Sequence, residues 1–338
     1  MVHANDGRDL SAAREALARQ DSDTDTERAL EQVFEAAEKS YSLLQRGGVS
    51  LNYNFDYSYY GDQRIDLLIE PQRNSDGEIV GGTSIIRNAD VQPAASHTFT
   101  NAFTLDYGLL NNVTLSGRLP LVAKYDTEES LTGYGLGDLS GTVRWQPWEY
   151  VPGKISRTVF GTLKLKTGDS PYEMNLDRDL ATGSGYYSVS AGMSASKVLD
   201  PVVLFGSGSY TYNLSETDLN QRRGGSLLRE IHPGSSYSFS MGFAYSLSYD
   251  VSLSVSFQGS YNDETRFVLY TPATDQKRES ISSSQMSGIM NFALGLRVSP
   301  KTIANVNVGF GMTELSPDII LGLSLPIDIE GLKPSSRN

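Results

Sequence analysis

The chain has 338 residues, of which 39% are hydrophobic and 20% charged, with 19 Tyr, 12 Phe, 32 Gly, no Cys and a net charge of −12. An apolar share below the ~45–50% of ordinary globular domains excludes a large conventional core, and an aromatic share of 10% excludes a disordered chain. Without cysteine there are no disulfide scaffolds, Cys-ligated metals or thiol catalysis; the acidic balance argues against nucleic acid as a partner; and no apolar run reaches the ~18 residues of a transmembrane helix.

Met1–Asp6 has no basic stretch followed by an apolar one, so it is not a signal peptide, and the expectation is that an export signal preceded it and was removed. Residues 1–23 read as a linker carrying a short helical pattern, Leu10, Ala13 and Leu17. Residues 24–47 read as a helix: Leu30, Val33, Phe34, Ala37, Tyr41 and Leu44 recur at three- and four-residue steps on one face. Thr24-x-x-Glu27 has the form of a capping box, and Gly47-Gly48 supplies the stop and a hinge.

From residue 48 to 329 the period switches to two. Val49, Leu51, Tyr53, Phe55, Tyr57 and Tyr59 alternate with polar residues, and so do Tyr237, Phe239, Met241, Phe243 and Tyr245 with Ser and small residues. Such segments begin near positions 48, 96, 112, 136, 157, 185, 202, 235, 251, 284, 303 and 318. Short turns near 110, 200, 249 and 300 contrast with long polar connections at 61–95, 122–134, 168–184, 215–234 and 262–283. This pattern predicts an all-β transmembrane barrel of 12 antiparallel strands, short turns in the periplasm and long loops outside. Residues 330–338 read as a polar tail.

In this register Asp56, Asp106, Arg118, Asp138, Arg144, Lys164, Lys166 and Arg297 face the lumen, either as a selectivity lining or docking points for the helix, or as mutually paired charges that solvate and stabilise the interior. Gly117, Gly141, Gly161 and Ala191 are small and face lipid, which suits close contact between barrels. His3, His97 and His232 are too scattered for a metal site or a catalytic triad, so neither catalytic residues, metal nor cofactor is expected. The Gly133–Asp138 stretch reads as a strand bend in preference to a phosphate cradle, because no helix follows it. The acidic run Asp126-Thr-Glu128-Glu129 reads as solvated loop, with a surface cation as the alternative.

The helix has the length and width of a barrel lumen, about 30 Å by 10 Å. Its acidic residues, among them Glu27, Glu31, Glu35 and Glu38, are offered to the wall cations, which makes it a lumen plug; the alternative is a helix lying at the periplasmic mouth or joining copies of the chain.

Gly135–Ser140, Leu163–Asp169, Gly311–Asp318 and Leu321–Pro326 resemble motifs of the outer-membrane barrels of the MetA-pathway-of-phenol-degradation family. With the acidic helix and its Gly-Gly link, residues 24–327 resemble the FapF-type channels that secrete functional-amyloid subunits in pseudomonads. This resemblance implies a homotrimer, a lumen-plugging helix, an upstream coiled coil and unfolded amyloid-subunit polypeptides as cargo, in a membrane of outer-membrane lipid and lipopolysaccharide. The departure is the C-terminus, where barrels of this kind end in an aromatic residue and this chain runs from Ile327 into a polar tail. The leading expectation is a gated secretion channel, not an enzyme. Its rivals are a passive diffusion channel for small aromatic or apolar molecules and a surface adhesin.

Overall fold

The computed structural model describes residues 43–327 except 63–66, 74–78, 87–93, 128–129, 150, 152, 176–177, 224–225, 249, 273–274 and 300–301. Twelve antiparallel strands close on themselves: β1 Val49–Asp62, β2 Ala94–Leu110, β3 Val113–Asp126, β4 in two pieces (Leu131–Leu136 and Ser140–Trp145), β5 Ser156–Lys164, β6 Ser188–Leu199, β7 Val202–Asn213, β8 Ser236–Ser248, β9 Val251–Asn262, β10 Gln285–Ser299, β11 Thr302–Gly311 and β12 Ile319–Ile327. Each strand pairs with its sequence neighbours, and β1 pairs with β12, from Leu51 opposite Ile327 to Tyr59 opposite Ile319, which leaves the barrel no open edge.

Closure explains the two-residue period. One side of every strand meets lipid and the other the lumen, so the outward residues Leu105, Val143, Val189, Met193, Phe243 and Leu294 remain 42–52% exposed in the isolated chain. Outward aromatics pair across strands, Tyr53 with Phe103, Tyr57 with Phe99 and Phe239 with Phe257, at 5.0–5.8 Å between ring centres. Tyr57, His97 and Tyr125 form an outward cluster near the long-loop end, and Tyr57 Oη lies 2.9 Å from His97 Nδ1. This accounts for His97 as part of the aromatic girdle.

Two expectations are corrected. The long connections are not all plain loop: Gln221–Arg223, Ser226–His232, Arg266–Thr271 and Gln276–Ile281 build a four-stranded sheet over the long-loop end, and Leu67–Arg73 pairs with Ile79–Ile86 in a hairpin. The sheet buries Leu219, Leu228 and Ile231, with Tyr172, Phe267 and Leu269 packed against them, so the loops share a small core of their own. The fourth strand does not begin near position 136; its first piece runs from Leu131, and residues 137–139 interrupt it.

A closed barrel of this kind resists SDS until heated. The protein in detergent should therefore give a β-dominated circular dichroism spectrum and migrate faster on SDS gels unboiled than boiled; equal migration would contradict closure.

Candidate functional site: the lumen and its two ends

At the short-turn end the chain enters the barrel before it becomes part of the wall. The Gln45–Gly48 turn, closed by the Gly48 N–H donating to the Gln45 carbonyl at 2.8 Å, has Gly47 at φ +78°, a conformation that other residues adopt only under strain. Upstream of it the Leu44 N–H donates to Thr114 Oγ1 at 2.8 Å. Thr114 is fully buried and sits opposite Arg144 in the register, on the lumen side. Gly108 is the second marker: a Cβ there, also pointing inward, would overlap the Gln45 carbonyl. Leu44 and Gln45 therefore lie within the mouth against the inner wall, not beneath the rim.

The lumen wall is divided. Apart from Arg297 on β10, its paired charges lie on β1 to β5 and in the break of β4. Arg144 donates to Asp106 at 2.5 Å and to the Ser116 hydroxyl, and Asn52 Nδ2 donates to the same carboxylate at 3.1 Å. Both members of this ion pair are buried, the side chains 4% and 12% exposed, so neither charge is solvated by bulk water. Arg118 and Asp56 are 3.9 Å apart and half exposed to a cavity of about 460 Å³ that the charged wall lines. Arg297, at the short-turn end of β10, has Asp250 at 3.9 Å. The wall cations that the sequence offers to the helix thus each have a carboxylate of the barrel beside them.

At the long-loop end residues 167–169 and 180–184, between β5 and β6, fold against the inner face of β4. The inward positions Gly133 and Gly135 have no side chain because Leu180, Asp169 and Thr182 occupy that space. Where β4 breaks, the loop supplies the missing hydrogen bonds: Thr182 Oγ1 donates to the Leu136 carbonyl, Thr167 Oγ1 donates to the Gly137 carbonyl, and the Leu139 N–H donates to Thr167 Oγ1, each at 2.8 Å. Asp138 is the latch. It accepts from the Ser184 N–H at 2.8 Å, the Ser184 hydroxyl at 2.6 Å and the Gly168 N–H at 3.1 Å, with Lys164 Nζ at 3.7 Å. From above, Gln221 Nε2 donates to the carbonyls of Pro171 and Met174, both at 2.7 Å, which ties the loop to the extracellular sheet.

Asp138 therefore stands in the strand break, not in a continuous strand. Lys166 is not a wall residue: it lies two positions past β5 and bridges Glu216 at 3.1 Å and Glu173 at 3.4 Å. Burial draws the Lys166 ammonium down, but Glu216 and then Glu173 outweigh it and hold the group above the ordinary lysine range. A lysine raised in this way stays charged at every pH below its ordinary value and loses its charge, and with it the bridge, as pH rises through the raised one. Glu27, Leu30, Glu31, Val33, Phe34, Glu35, Ala37, Glu38 and Tyr41 lie outside the described residues. Gly117, Gly141 and Gly161 face outward; a Cβ at Gly117 would meet open space, and at Gly141 or Gly161 only a backbone oxygen at 3.9 or 3.7 Å, without a clash. Sequence reasoning missed Thr114 and the inserted loop; the signal for the loop was the run of alternate glycines at 133, 135 and 137, which leaves three inward positions empty.

No protein-family model matches the chain. Among solved structures it is similar to the COG4313 outer membrane channel from Pseudomonas putida F1, with a TM-score of 0.59 and 14% identity over 85% of this chain and 97% of that one. The translocator domain of the autotransporter NalP from Neisseria meningitidis matches with a TM-score of 0.47 and 7% identity over 91% of this chain and 98% of that one. A closed twelve-stranded antiparallel barrel with an apolar outer band is a bacterial outer-membrane barrel.

Proposed function

We propose that the protein is a gated channel whose lumen is occupied at rest by the segment preceding β1, and that it exports unfolded polypeptides of the functional-amyloid class. The observation that supports this reading is the position of Leu44 and Gln45 against inward-facing Thr114 and Gly108, just inside the mouth of the barrel. An unfolded chain is about as wide as one extended strand, so a lumen cleared of one helix admits it. Because the wall cations already have carboxylate partners, the acidic helix face is held weakly, as a reversible plug requires.

Gly108→Leu is the point substitution that tests the placement. Its side chain overlaps the Gln45 backbone, so it should raise open probability severalfold in planar bilayers with the chain otherwise complete. An unchanged open probability would remove the inward-aimed segment as the gate. Glu31→Lys and Glu35→Lys together should act in the same direction.

A second reading, passive passage of small aromatic or apolar molecules, is supported by the size of the lumen cavity, about 460 Å³ and within the range of small-molecule sites. Single-channel block separates the two: an unfolded polypeptide should interrupt the open current if the export reading holds, and small aromatics alone should do so if it does not. The outward glycines 117, 141 and 161 are the proposed contact between barrels of a trimer. Gly141→Trp should shift the detergent-corrected mass from trimer toward monomer, and a monomer for the parent chain at every concentration would contradict the assembly.

A further inference from the structure

The wall opposite the charges has a chemistry of its own. Four registers cross β6 to β10 on the lumen side, and of their twenty positions eleven are Ser, five are Thr, Asn or Gln, and none is charged. One register runs Ser209, Ser238, Ser260, Ser287 and the next Ser194, Ser207, Ser240, Gln258. Side chains of both registers open onto one cavity of about 230 Å³.

We infer that this serine wall is a hydrogen-bonding track for uncharged, amide-bearing stretches of an extended polypeptide. The inference rests on the export reading above and adds the class of segment that is engaged. Along β8 the hydroxyls of Ser236, Ser238 and Ser240 recur every second residue, about 6.7 Å apart, which is the spacing at which carbonyls on one side of an extended chain recur. Neighbouring strands repeat the row about 4.8 Å away, so a chain that slides sideways exchanges one row for the next without losing its bonds. A hydroxyl both donates and accepts, so it serves amide N–H and carbonyl groups alike. Charged side chains find no counter-ion here, because every ion pair among the described wall residues lies outside these strands' shared registers.

The test uses the complete chain in planar bilayers, recording interruptions of the open current by two synthetic 20-residue probes, one of Gly, Asn, Gln and Ser and one in which Asn and Gln are replaced by Asp and Glu. The neutral peptide should dwell longer. Ser209→Ala, Ser238→Ala and Ser260→Ala together should shorten its dwell time about tenfold, the effect of losing two or so hydrogen bonds. The corresponding triple Thr variant keeps the hydroxyls and should retain most of the dwell time. These three hydroxyls make no hydrogen bond within the described protein, and unboiled gel migration checks that each variant has folded. Unchanged dwell in the Ala variant would overturn the track while leaving export in place, since the peptide still enters. If neither peptide enters but small aromatics do, export and track fall together. A neutral oligosaccharide that blocks in a serine-dependent way where the peptides do not would reassign the wall to sugars.

Discussion

Arg144→Leu should destabilise the barrel by about 3–5 kcal/mol, the cost of leaving a buried charge without its counter-ion. The stranded group is Asp106, whose carboxylate is held by Arg144, Ser116 and Asn52 deep in the wall. Leucine also leaves the Ser116 hydroxyl with one partner fewer. Converting the carboxylate to an amide in the same chain, Asp106→Asn with Arg144→Leu, should recover most of the loss, because the surviving groups are then neutral and hydrogen-bonded to one another. The temperature at which the unboiled band converts to the slower boiled form measures both. Equal losses in the single and double variants would show that packing of the Arg144 side chain, and not its charge, sustains the site.

Asp138→Ala should release the inserted loop while leaving the barrel closed. The substitution removes three hydrogen bonds to a charged acceptor, worth about 1.5–3 kcal/mol each before relaxation, and leaves Lys164 with only the Ser184 hydroxyl and the Tyr186 ring. A net loss near 3 kcal/mol corresponds to about a hundredfold larger open population of the loop. Cleavage within 165–187 by protease added from outside should accelerate by about that factor, with the heat-conversion temperature lowered much less than in Arg144→Leu. Asp138→Asn, which keeps an acceptor, should fall between the two. Cleavage at the parent rate would mean that Gln221 and the extracellular sheet hold the loop without the latch.

The barrel was legible because lipid and lumen impose opposite demands on alternate residues, and Val49 to Tyr59 or Tyr237 to Tyr245 show that demand without interruption. The same signal fails where neither face is buried: all six residues of Gln276–Ile281 are exposed, so nothing in their order marks a strand. It also fails at β4, where residues 137–139 reverse the parity. Gly135 and Ser140 both face inward, although an unbroken strand would put them on opposite faces. The candidate charges were found as individual residues, but their pairing was not, since Arg144 with Asp106 and Lys164 with Asp138 depend on which strands are neighbours. Lys166 was misplaced by the same alternation: the pattern of Leu163 and Leu165 continues past the end of β5 into the loop. The quoted motifs prove to be joints of the fold. Gly135–Ser140 spans the strand break, and Ser316 within Gly311–Asp318 holds the Gly288 backbone by accepting from its N–H at 2.9 Å and donating to its carbonyl at 2.8 Å.

The glycine-bounded turn and the contacts of Leu44 and Gln45 motivate the central proposal, that the chain before β1 closes the lumen. Single-channel conductance of the complete protein, compared with that of the same chain lacking residues 1–45, measures it most directly. Removal should raise conductance severalfold with the dichroism spectrum and unboiled gel migration unchanged; a shortened channel that conducts no better than its parent would contradict the account.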